Sequence, residues 1–226
     1  MTTIRAIATH EIVERTHPRP PPEEADRVAM AVGRAIDGTL SQLGYQIRSG
    51  RRPTATSTRR YADALLSVAL DEEAVAVTDP ERRTILEQID GTLKAYRGSV
   101  IFGLARPKSR IILIDGRVGV YAQPDYWDGR GRFYEMKSYL AIPPAPEVAL
   151  QLRLFQLAFP GFGATLVCLD RHRAPVEARS YEVPPPTEEE QGTTLRLAYD
   201  LGARFGQEKV VEYMEGPFVR YGLPPA

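Results

Sequence analysis

Three side chains stand out for what they could do together: Asp125, Glu135 and Lys137. Glu135 and Lys137 lie two apart in Arg132-Phe-Tyr-Glu-Met-Lys-Ser-Tyr-Leu, a stretch that reads as a strand, so both project from one face. Asp125 closes the preceding apolar stretch, and the turn Asp128-Gly-Arg-Gly folds the second strand back beside the first. Antiparallel pairing is then expected to set Asp125 opposite residue 134, give or take one position. Two carboxylates and an ammonium are the groups that divalent-metal hydrolysis of a phosphodiester requires. The carboxylates hold Mg²⁺ or Mn²⁺; the ammonium orients water and offsets charge that develops on the phosphate. The backbone carbonyl of Met136, facing away from its own side chain, could complete the metal shell. Each residue alone has a plainer reading, Asp125 as a turn aspartate after Pro124 and the other two as a solvated strand face. The combination is what points to chemistry.

Composition narrows the alternatives. Twenty-nine basic and 29 acidic side chains give a formal net charge of zero, which argues against a protein that coats nucleic acid through bulk charge. A local basic groove beside an acidic metal site remains compatible with that sum. Cys168 is the sole cysteine, so an intrachain disulfide, a cysteine-built zinc site and a four-cysteine iron–sulfur cluster are excluded. Inside an apolar stretch, Cys168 reads as a core residue. His10, His17 and His172 show no ligand spacing. Metal chemistry would therefore rest on carboxylates, which favour hard ions. No apolar run approaches the roughly 18 residues that span a bilayer, and the first residues lack the long apolar stretch of a signal peptide. A cytoplasmic protein with no membrane partner is expected.

The positioning elements follow from periodicity and breakers. Residues 1–22 end in His17-Pro-Arg-Pro-Pro-Pro and read as a flexible arm ahead of a single domain over 23–226. Residues 23–97 read as mainly helical, with helices from Glu23 to about Gly44, from Ser57 to Leu70, and from Thr78-Asp79-Pro80 to about Tyr96. The sheet core is expected over 98–180. Its strands begin with Ser99-Val-Ile-Phe-Gly-Leu, Arg110-Ile-Ile-Leu-Ile and Val118-Gly-Val-Tyr-Ala, the last two joined by an Asp115-Gly116 hairpin. Beyond the Glu135 strand come a helix from Glu147 to Phe159, a buried strand Ala164–Leu169 and a segment Glu177–Val183 that either pairs with it or lies nearby. Residues 186–226 read as a C-terminal helix, Glu188 to Phe205, and a tail. That order describes an α/β or α+β sandwich with an N-terminal helical elaboration.

The segment Pro124-Asp125, nine residues, then Glu135-Met136-Lys137 resembles the signature of the PD-(D/E)XK nuclease superfamily. Gln151-Leu-Arg-Leu-Phe155 on the following helix resembles the Gln-x-x-x-Tyr element of its RecB-like branch, with phenylalanine in the tyrosine position. Upstream, Gly33-Arg-Ala-Ile-Asp37 resembles that branch's Gly-x-x-x-His, with aspartate for histidine. The resemblance spans about residues 30–170. It implies an α/β fold with a restriction-endonuclease-like core, a mixed central sheet flanked by helices. It also implies a metal-dependent nuclease acting on DNA, in repair, recombination or DNA processing, as a homo-oligomer or within a larger complex. Asp125, Glu135, Lys137 and Gln151 would be catalytic. Asp125, Glu135, the Met136 carbonyl and Asp37 would hold Mg²⁺ or Mn²⁺, with Glu87 competing for the place of Asp37. Arg51, Arg52, Arg59 and Arg60 are candidate phosphate contacts. Tyr126 and Trp127 either stack on a base or pack. The changes at Asp37 and Phe155 leave a second reading: a non-catalytic nucleic-acid-binding or assembly module that keeps the fold. A third is an enzyme for another phosphate ester.

Overall fold

The computed structural model describes residues 2–171, 173–211 and 218–223. It is an α/β structure in which six helices flank two mixed sheets. Nine strands are described: β1 (Thr2–Ala8), β2 (Arg110–Ile114), β3 (Val118–Ala122), β4 (Tyr126–Trp127), β5 (Arg132–Lys137), β6 (Gly163–Leu169), β7 (Ala178–Val183), β8 (Gln207–Val211) and β9 (Phe218–Tyr221). The helices are α1 (Thr9–Thr16), α2 (Glu24–Arg48), α3 (Ala55–Glu72), α4 (Asp79–Arg97), α5 (Pro146–Ala158) and α6 (Glu188–Phe205). One sheet has the order β8-β1-β3-β2-β9 and the other β4-β5-β6-β7.

Residues 2–16 depart from the expected arm. Ile4, Ala6 and Ile7 are buried, and β1 runs inside the first sheet, parallel to β3 and antiparallel to β8. The proline run that suggested an arm begins only at Pro18, and residues 17–23 alone lack regular structure. The C-terminal part also departs from the expected helix and tail, since β8 and β9 form the two edges of this sheet. Parts of that tail, residues 212–217 and 224–226, lie outside the described residues, as does His172.

The hairpin between β2 and β3 turns on Asp115 and Gly116, both at positive φ (50° and 66°), the type I′ geometry that matches strand twist. Helix α6 crosses the sheet closely at Gly202, where a β-carbon would come within 2.3 Å of Val118 Cγ1. The segment Ser99–Leu104 is a chain of tight turns and not the expected strand. Gly98 and Gly103 bracket it, and only Ile101 enters the core while Val100 and Phe102 stay exposed.

The second sheet separates two apolar cores. On one side Phe133, Leu166 and Cys168 join α5 and the β2–β3 hairpin. On the other, Met136, Val167 and Leu169 join the apolar faces of α2, α3 and α4. Burial on both faces is why Ala164-Thr-Leu-Val-Cys-Leu is apolar but for Thr165 and does not alternate. The expected single central sheet is thus two sheets. The chain passes from one to the other through Gln123-Pro124-Asp125, where proline offers no amide to continue a ladder.

No helix among the described residues is long and apolar enough to cross a membrane.

Candidate active site

Strand β5 supplies the centre. Tyr126 pairs with Tyr134 and Trp127 with Phe133, so Asp125 falls level with Glu135, within the expected position. Asp128 Oδ1 accepts the amides of Arg130 (2.7 Å) and Arg132 (3.1 Å), which fixes the turn that returns β5 beside β4. Asp125 Oδ2 accepts the Met136 amide at 3.0 Å. A strand residue directs its N–H and C=O to the same edge, so the Met136 carbonyl also leaves β5 on the Asp125 side.

Glu135 and Lys137 share the opposite pleat from Met136, as their spacing requires. Lys137 Nζ donates to Glu135 Oε1 at 2.8 Å and to Gln151 Oε1 at 2.9 Å. Gln151 is placed by α5, whose buried face rests on the β5–β6 surface. One turn on, Phe155 is buried against Phe133, with ring centroids 6.2 Å apart and nearly perpendicular. A tyrosine hydroxyl there would be driven into the core. The phenylalanine is a packing residue.

The electrostatics are strained in one direction. Glu135 is 3% exposed. Burial raises its carboxyl well above the usual range, Asp125 pushes the same way, and Lys137 opposes both. Burial by itself would lower Lys137, but Glu135 and Asp125 outweigh it and hold the ammonium charged above its ordinary range. Asp37, from α2, is pushed up to about 6, by burial first and Asp125 second, with Lys137, Arg106 and Arg171 pulling it back. Its side chain is open to solvent while protein surrounds it on most sides, the signature of a group lining a cleft. A β-carbon on Gly33, one turn earlier, would lie 3.8 Å from Arg171 Nη1 and 4.0 Å from Ser138 Oγ, so α2 passes over the end of β5. Asp37 therefore belongs to the site. Glu87 is exposed on α4 with no such tie.

Two cations were missed in the sequence. Arg106 Nη2 lies 3.6 Å from Asp125 Oδ1. Arg171 is buried just beyond β6, where Nη2 donates to the Ala29 carbonyl at 2.9 Å and Nη1 has no partner among the described residues. The one legible signal was the charged pair Asp170-Arg171 directly after the buried strand β6. The other expectations divide. Tyr126 is buried and packs on Tyr96, whereas Trp127 is half-buried and meets Phe162 edge-on. Arg51 and Arg52 are exposed in the loop before α3. Arg59 pairs with Asp90 at 2.5 Å, and Arg60 lines a groove between α3 and α4. Cys168 is buried, as expected.

The residues can be tested against a divalent ion. Among the described residues, no three His, Cys, Asp or Glu side chains are grouped closely enough to hold a metal. Asp125 and Glu135 do meet at the β4–β5 junction beside the Met136 backbone, and the raised Glu135 and Asp37 carboxyls reflect burial first and the Asp125 charge second. A hard cation fits that donor set.

No family model matches the sequence, and no curated protein matches it. Among solved structures the chain is similar to that of SSO0001, with 14% identity over 89% of this chain and 87% of the other and a TM-score of 0.37. That likeness is too weak to carry an argument about function.

Proposed function

We propose that the chain is a metal-dependent nuclease that hydrolyses DNA phosphodiester bonds, a cytoplasmic member of the RecB-like PD-(D/E)XK branch with a restriction-endonuclease-like core and no iron–sulfur cluster. The observation that carries this reading is the continuous network Asp125–Met136–Glu135–Lys137–Gln151 on β5 and its two neighbours. Asp125, Glu135 and the Met136 carbonyl would hold Mg²⁺ or Mn²⁺, with Asp37 as a further donor. The bound ion would polarise the scissile phosphate and acidify a water.

The chain's own groups have definite tasks. The Met136 amide pins one oxygen of Asp125 and leaves the other toward the cleft. Gln151 and Glu135 aim the Lys137 ammonium, which removes the entropy cost of ordering a long side chain at the moment of reaction. Because that ammonium stays charged, Lys137 acts as a hydrogen-bond donor to water and phosphate and as an electrostatic stabiliser, not as the base. Arg106 stands at the mouth of the site, where it can meet a phosphate oxygen.

A second reading keeps the fold as a non-catalytic nucleic-acid-binding or assembly module. It draws on the buried Phe155 and on carboxylates that do not close into a three-acid group. The test is incubation with linear and circular, single- and double-stranded DNA in Mn²⁺, Mg²⁺ or EDTA. The nuclease reading expects cleavage that EDTA abolishes. A folded protein that cleaves none of these substrates sinks it, and activity on mononucleotides alone would indicate another phosphate ester.

A further inference from the structure

We propose that the groove between α3 and α4 binds the phosphodiester backbone of a nucleic-acid strand outside the catalytic cleft, an inference that deepens the nuclease reading and rests on it for the identity of the polymer. The groove encloses about 700 Å³ and is lined by Arg59, Arg60, Asp63, Asp90, Lys94 and Arg97 over an apolar floor of Leu86 and Leu93. Residues 86, 90, 93, 94 and 97 follow helical spacing, so α4 turns one face to it.

The charges divide into two sets. Asp63 and Asp90 are both neutralised locally: Arg82 pairs with Asp63 and Arg59 with Asp90, each at 2.5 Å. Arg60, Lys94 and Arg97 are exposed and have no carboxylate partner among the described residues. Three cations are thus left facing the groove. Ala55 and Thr56 bring the first turn of the 18-residue α3 to the same wall, which adds the positive end of a helix dipole. In a chain of zero net charge, unpaired cations gathered along one groove indicate a polyanion.

The helix that forms one wall of the groove also packs behind the candidate site. Arg97 ends α4 directly after Tyr96, and Tyr96 packs against Tyr126 with ring centroids 6.1 Å apart. Tyr126 adjoins Asp125. The basic end of the groove therefore lies on the helix that backs the β4 strand. Successive phosphates can sit along Arg60, Lys94 and Arg97. The floor is formed by Leu86, Leu93 and Thr58, whose hydroxyl donates to the Thr54 carbonyl, so binding is expected to be sequence-tolerant.

The test is fluorescence anisotropy with a labelled single-stranded oligonucleotide, in EDTA so that binding is separated from cleavage. The chain is compared with an Arg60→Gln/Lys94→Gln/Arg97→Gln triple variant, with Asp90→Asn and with Arg117→Gln, each checked for its circular dichroism spectrum. The triple variant should bind at least about tenfold more weakly, and its log Kd against log salt slope should fall by about 2, at ~0.7 per phosphate contact. Asp90→Asn frees Arg59 and should tighten binding and steepen the slope by about 0.7. Arg117→Gln, which removes an exposed charge in the β2–β3 hairpin away from the groove, should bind as the unaltered chain does. Equal binding and equal slope in the triple variant would overturn the groove, as would binding of inorganic pyrophosphate without binding of the oligonucleotide. Loss of cleavage with groove binding intact would instead defeat the nuclease reading alone.

Discussion

The cleft and the α3–α4 groove are both clusters of opposite charges, yet they are built in contrary ways. In the cleft, Glu135 is buried, Asp125 lies beside it, and the carboxyls of Glu135 and Asp37 are raised. In the groove every excess charge is exposed, and each acid has its own arginine. Burial makes the difference. Like charges crowded away from water store unfavourable free energy that a cation can relieve, and such sites are disproportionately functional. Exposed cations cost almost nothing to hold and add little to stability, but they attract a polyanion over a Debye length. On the proposed reading the cleft serves chemistry and the groove capture.

The largest expected effect breaks the comparison at the cleft. Lys137→Ala should lower the cleavage rate by 10²-fold or more, on the order of removing one preorganised electrostatic donor. It should also destabilise the fold, because Glu135 loses its partner in a buried position. That deficit has a sign in pH. The unpartnered Glu135 carboxyl has a raised pKa in the folded state, so the folded state binds the extra proton and stability recovers as pH falls. Urea unfolding of Lys137→Ala at pH 8 and pH 6 should show the larger deficit at pH 8. The groove variant, measured the same way, should differ from the unaltered chain by no more than about 0.5 kcal/mol at either pH.

A smaller effect concerns the packing that aims Gln151. Phe155→Tyr restores the hydroxyl of the resembled motif but places it in a closed core against Phe133. It should cost about 1–3 kcal/mol of stability without raising the cleavage rate. A rate gain with no loss of stability would show that the position faces the cleft after all.

The smallest expected effect belongs to Asp37. Its folded pKa of about 6 lies above the ordinary carboxylate value, so it binds the proton more tightly when folded. Stability therefore falls as pH rises from about 4 through 6, and the charged form disfavours the fold above that window. Asp37→Asn should raise stability at pH 7 by about 1 kcal/mol, after allowance for solvent screening at an accessible side chain, and leave it unchanged at pH 4. Thermal melts at the two pH values check this. A variant destabilised at pH 7 would mean that the nearby arginines, not burial, dominate at this carboxyl.

The candidate catalytic stretch was legible because its signals are local. Asp115-Gly116 and Asp128-Gly mark their own turns, and the two-residue spacing of Glu135 and Lys137 decides their shared face. Gln151 was legible too, since proline ends the intervening loop and starts the helix that carries it. What escaped depends on contacts distant in the chain. Strand β1 is recognisable only through its neighbours β3 and β8, more than a hundred residues away. β8 reads Gln-Glu-Lys-Val-Val, a polar edge strand with little apolar pattern of its own. Arg106 and Arg171 approach the site from loops whose paths follow from the fold, not from any motif. The division into two sheets was hidden for the same reason, because only the burial of β6 on both faces reveals it.

The central claim is that Asp125, Glu135 and the Met136 carbonyl hold a divalent ion. Calorimetric titration with Mn²⁺ tests it most directly, for the unaltered chain, Asp125→Asn and Glu135→Gln, in two pH 7 buffers of different ionisation enthalpy. One ion per chain is expected, lost in both variants, with proton release on binding because the raised carboxyls must ionise to ligate. Absence of Mn²⁺ binding, or binding that survives Asp125→Asn and Glu135→Gln unchanged, would contradict it.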